Sequence, residues 1–131
     1  MVIIIDQQTG GDFVSNDNAY TAQFATVQGT LEQLVCVAVA SIGVEMATVE
    51  VATPSGRSAV AVFGDYVDRP SYFLEVPIHG PAGELIAFFC AYDSEARTST
   101  AFDLEVLQGL ADSAKRKMWL AWSEAGPRSA Y

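Results

Sequence analysis

Basic residues are scarce in this chain: seven Lys and Arg stand against 16 Asp and Glu, for a formal net charge of −9. A surface of that sign repels phosphate backbones, and one local cluster of opposite sign, Lys115-Arg116-Lys117, does not reverse it. Nucleic acid is therefore excluded as an expected partner. Charged residues of either sign make up only 18% of the 131 residues, while half are apolar. Such a chain has either a surface that is largely polar but uncharged or an apolar patch covered by a partner, which favours self-association. Histidine occurs once and cysteine twice. Cys36 in "LVCVAVA" and Cys90 in "IAFFCAY" sit in apolar runs, the setting of small buried hydrophobes rather than of a redox pair. His79 falls in a hairpin loop after Pro77, where a general base has neither an oriented partner nor an enclosed reaction site. The opening "MVIII" is ended by Asp6 and preceded by no basic residue, so it is too short for a membrane span and unlike a signal peptide. A cytoplasmic protein with no membrane partner is expected.

Repeats, low-complexity stretches and linkers are also lacking, and the length suits one domain over residues 1–131. Its parts read as an N-terminal strand or loop extension (1–23), a core (24–125) and a tail (126–131). Apolar residues Phe24, Val27, Leu31, Leu34, Ala38 and Ile42 recur at alternating spacings of three and four, which predicts a helix ended by Gly43. "VEMATVEVAT" and "SAVAVFG", separated by "PSGR", form a first hairpin. Tyr72 to Ile78 and Leu85 to Tyr92, separated by "HGPAG", form a second. "TSTAFDLE" supplies Thr100 as an N-cap with Asp103 three residues on. It opens a long C-terminal helix with a stripe of Leu104, Leu107, Ala111, Ala114, Met118 and Ala121, stopped near Gly126-Pro127. The class is α+β: a four- to five-stranded antiparallel sheet with the N- and C-terminal helices packed on one face. Leu34, Val51, Val60, Leu74, Ile86, Phe88 and Leu107 are the expected core.

The run from Phe73 to Ala114 resembles the second half of GAF domains, a sensory family. Val76-Pro77-Ile78 matches that family's strand ending, Gly83 its turn, and Arg97, Thr100, Asp103, Leu107, Leu110 and Ala111 its Arg-x-Phe-Thr-x-x-Asp-x-x-x-Leu-x-x-Leu-Ala element. Ser99 stands where the family has Phe, a gap that Phe102 is expected to fill from the next turn. The segment "TLEQLVCVAVASIGVEMATVEV" resembles the family's helix and first strand, so the likeness covers residues 24 to 122. Residues 2–20 also resemble the opening of a PAS domain. The chain departs from the family's ligand-holding members in a connection of only seven residues, "DYVDRPS", before Tyr72. An extended residue spans about 3.5 Å, so this link is too short to roof a large ligand. Neither the Asn-Lys/Arg…Phe…Asp-Glu motif of cyclic-nucleotide binders nor an exposed Cys-His pair for a bilin is present, and no cofactor is expected.

Asp65, Asp68 and Glu75 fit no metal-loop spacing, and Arg69 among them reads as an ion-pair partner, so no metal is expected either. Phe63, Tyr66, Tyr72 and Phe89 are the candidates for lining a small-ligand site near the short loop. Trp119 falls one position beyond the buried stripe and is expected to project away from the sheet, which, with Met118 and Trp122, predicts a helix–helix contact in a homodimer. The resemblance implies a non-catalytic sensory or regulatory module acting in signal transduction through helix-mediated dimerisation or partner binding, with no catalytic residue. The competing reading is a small GAF-fold enzyme such as a methionine sulfoxide reductase, which needs reactive cysteines.

Overall fold

Among residues 19–125, which the computed structural model describes, the elements run from a 3-10 turn at Ala25–Val27 through α1 (Gln28–Ile42), β1 (Met46–Thr53), β2 (Gly56–Gly64), β3 (Tyr72–His79) and β4 (Leu85–Asp93) to α2 (Ala101–Ala125). The expected N-terminal strand and the Gly126-Pro127 stop lie outside the described residues.

Helix α1 buries Leu31, Val35, Ala38 and Ile42, one residue per turn on one side. It begins four residues later than the apolar period predicts, because Val27 N–H donates to the Phe24 carbonyl at 3.0 Å and tightens the first turn. Phe24 is nevertheless fully buried, its ring stacked 6.3 Å from that of Trp122. Gly43 ends the helix in the left-handed region at φ 81°, with its N–H on the Val39 carbonyl at 2.9 Å. By length and composition residues 25–42 could cross a bilayer; in this fold they lie on β1, β2 and α2.

The sheet order is β2-β1-β4-β3, every neighbouring pair antiparallel. The two most apolar strands, β1 and β4, take the centre, and Pro77 lies in edge strand β3, where a missing N–H is tolerated. Opposite Val49 and Glu50 the register slips by one residue, leaving Val60 as a bulge whose carbonyl accepts from the Gln28 side chain at 3.1 Å. Both helices pack on one face, α1 against β1 and β2, α2 against β3 and β4.

Of the expected core, Val51, Val60, Ile86 and Leu107 are buried, while Leu34 and Leu74 are half-buried against the same cluster. Phe88 is half-buried on the opposite face, because strand alternation sends it there with Cys90 and Tyr92. Leu104 is a correction: it is 41% exposed, since Asp103 occupies the inward position of the first turn of α2. Phe102, expected to stand in for the family's Phe, lies exposed on the outside of the helix.

The Arg97, Thr100 and Asp103 motif has a mechanical explanation. Thr100 Oγ1 accepts from Asp103 N–H at 3.1 Å and Asp103 Oδ2 accepts from Thr100 N–H at 3.3 Å, a reciprocal cap that satisfies two free donors at the start of α2. Arg97 donates to the Ile42 and Gly43 carbonyls at 3.0 and 3.2 Å and to Asp103 Oδ2 at 3.3 Å. One guanidinium thus fastens the end of α1 to the start of α2.

Candidate functional site

Strand alternation gives the sheet a second face, turned away from the helices. Thr48 and Glu50 of β1, Arg57 of β2, Glu75 of β3 and Phe88, Cys90 and Tyr92 of β4 converge there. Glu50 is only 6% exposed in the middle of a central strand. A carboxylate so enclosed requires donors, and it has three. Thr48 Oγ1 donates to Oε2 at 2.6 Å, the Tyr92 hydroxyl donates to the same oxygen, and Arg57 Nη1 approaches Oε1 at 3.4 Å. The same Arg57 nitrogen bonds Glu75 Oε1 at 2.8 Å, and the guanidinium carbon lies 3.6 Å from the centre of the Phe88 ring. Arg57 therefore crosses from one edge strand toward the other. The short connection after β2 contributes Val67, which is buried against Met46, Cys90 and Tyr92.

Burial pushes the Cys90 thiol up to about 12, and the nearby Glu50 charge adds to the effect. Burial likewise raises the Tyr92 phenol, again with Cys90 and Glu50 contributing. Both groups stay protonated, which suits Tyr92 as a donor to Glu50 and deprives Cys90 of the thiolate that a nucleophile needs. Cys36 is half-buried on α1, so the sheet separates the two cysteines.

Sequence patterns missed the grouping of Thr48, Glu50, Arg57 and Tyr92. The usable signal was the lone acid in "TVEV", a charge in an otherwise apolar central strand. The proposed ligand set Phe63, Tyr66, Tyr72 and Phe89 is not brought together. Phe89 is sealed in the helix-facing core, and Tyr72 faces α2, donating to Asp103 at 3.4 Å and accepting from Ser99 at 3.2 Å. Phe63 pairs with inward-facing Ala47 at the sheet edge, and Tyr66 is exposed in the loop. Of Asp65, Asp68 and Glu75, the first two are exposed, Asp68 lying 3.9 Å from Arg69, while Glu75 belongs to Arg57. His79 is exposed at the end of β3.

Trp119 does not project away from the fold. Its indole N–H donates to the His79 carbonyl at 2.8 Å, and Lys115 lies 5.5 Å over its ring, because the position just beyond the buried stripe overhangs the end of β3. Met118 is fully buried and Trp122 is stacked on Phe24, so all three residues expected at an interface contact their own chain.

This architecture is similar to that of solved GAF domains. The phycoerythrobilin-bound GAF domain from a cyanobacterial phytochrome matches with a TM-score of 0.63 at 12% identity, over 87% of this chain and 96% of that one. The blue-light absorbing form of the Thermosynechococcus elongatus PixJ GAF domain matches at 0.58 and 10%, over 84% and 97%. A domain described as part of a two-component sensor histidine kinase protein from Sinorhizobium meliloti 1021 matches at 0.61 and 11%, over 76% and 95%. No family model and no curated protein matches the sequence. The chain has a GAF-like fold.

Proposed function

We propose that this chain is a non-catalytic sensory or regulatory module of the cytoplasm, which acts in signal transduction through contacts made by its helices. The observation that carries the reading is the four-strand origin of the cluster around Glu50. A small ligand or partner touching Arg57 or Phe88 bears on every strand at once, and the helices rest on the opposite face of those strands. A thiol held neutral at Cys90, with Cys36 across the sheet, favours this over a cysteine-dependent reductase. Large chromophores are not the expected ligands, because Val67 already occupies part of the face that a roofed pocket would need.

The test is turnover against binding. Purified protein incubated with free methionine sulfoxide and a thiol reductant is expected to release no methionine, whereas turnover abolished by Cys90→Ser or Cys36→Ser would replace this reading with the reductase.

A further inference from the structure

Among the described residues, strand β2 has a neighbour on one side only. Edge strands are ordinarily blunted by charge, proline or a bulge, because an uncovered row of N–H and C=O groups accepts another strand. The opposite edge, β3, carries Glu75 and Pro77. Residues 58–64 of β2 carry neither charge nor proline, and the bulge at Val60 lies before residues 61–64. Val62 and Phe63 in that stretch are 50% and 44% exposed, and strand alternation sends them to opposite faces of the sheet. A helix or ligand laid on one face would reach only one of them. A strand added at the edge flanks both.

We propose that the occupant is the chain's own segment 2–5, added antiparallel to residues 61–64 of β2 as a fifth strand. Val2, Ile3, Ile4 and Ile5 are all β-branched, the stiff side chains that suit a pleated sheet, and their number matches the unblunted stretch. Alternation puts two of them on each face, one pair beside Val62 and the other beside Phe63. The second pair also gains a cover from α1. Gln28 bonds the Val60 carbonyl at 3.1 Å, so the side of α1 that bears Gln28 and, 11 residues on, half-buried Val39 lies over β2. The reach is sufficient. Ala19 is nine residues from Gln28 and so within about 32 Å of it, while residues 7–18 extend to about 42 Å and include the turn-forming Thr9-Gly10-Gly11-Asp12. Charge sets the direction: a parallel strand would bring Asp6 beside exposed Asp65, whereas the antiparallel one carries it toward Ser58 and Arg57.

Residue-resolved amide hydrogen exchange on the full chain tests this, because those amides of residues 61–64 that point away from β1 are protected only when a strand covers them. In wild type they are expected to exchange about tenfold or more slowly than in Ile4→Pro, which removes an N–H from the added strand. Ile4→Val should keep the slow exchange, and the amides of β1 and β4 should be unchanged in all three proteins, which shows the fold intact. Fast exchange at these edge amides in wild type overturns the proposal. Slow exchange that Ile4→Pro leaves untouched gives the edge to another occupant and overturns it equally. Protection that disappears on dilution, as the mass by light scattering falls to that of one chain, means that a second copy supplies the strand, and this too overturns it.

Discussion

Glu50 sets the chemistry of the outer face: one enclosed carboxylate fixes Thr48, Tyr92 and Arg57 as its donors. Replacing it with alanine strands those donors and should cost about 3–5 kcal/mol in urea unfolding, as breaking a buried charged network does. The protonated neighbours make a pH prediction. Cys90 has a folded pKa of about 12 against an ordinary 9.0, so the folded chain holds a proton that the unfolded chain releases. The Cys90 contribution to stability is level below pH 9, and stability should fall between pH 9 and 12. Urea midpoints at both ends of that window check it, with Cys90→Ala expected to flatten part of the slope and Tyr92→Phe much of the rest. In the native protein a thiol reagent should label half-buried Cys36 well before Cys90.

At the scale of elements, Arg97 and Trp119 fasten the helical layer. Arg97→Ala removes donors from the Ile42 and Gly43 carbonyls and the partner of Asp103, and should cost about 2 kcal/mol. Trp119→Phe loses the bond to the His79 carbonyl and should cost about 1 kcal/mol without changing subunit number. Leu107→Ala, fully buried between helix and sheet, should cost about 2–5 kcal/mol in the same denaturation assay. The elements themselves were legible, because apolar period, Gly43 and the Thr100 cap are local signals. Side-chain destinations were less so. Trp119 sits one step off its stripe, and sequence period does not reveal that the end of β3 lies beneath that step. The Glu50 cluster draws residues from four strands through a bulge at Val60, and a bulge leaves no mark in the alternation of "SAVAVFG". The ligand set did not assemble for a related reason: Tyr72 follows the short loop and Phe89 lies on the strand paired with β3, yet alternation turns both toward the helices.

On the scale of the whole molecule, the two faces of one sheet differ in kind: an enclosed polar cluster with a neutral Cys90 thiol on one, both helices on the other. A linear tetrapyrrole titrated into the protein should give no saturable change in absorbance, since the seven-residue link between β2 and β3 folds Val67 onto the face instead of roofing it. The most direct test of the central claim is native mass spectrometry of the purified chain at tens of micromolar. The expected spectrum is a dimer, as association through the helices predicts; a wild-type monomer under the same conditions would contradict that reading.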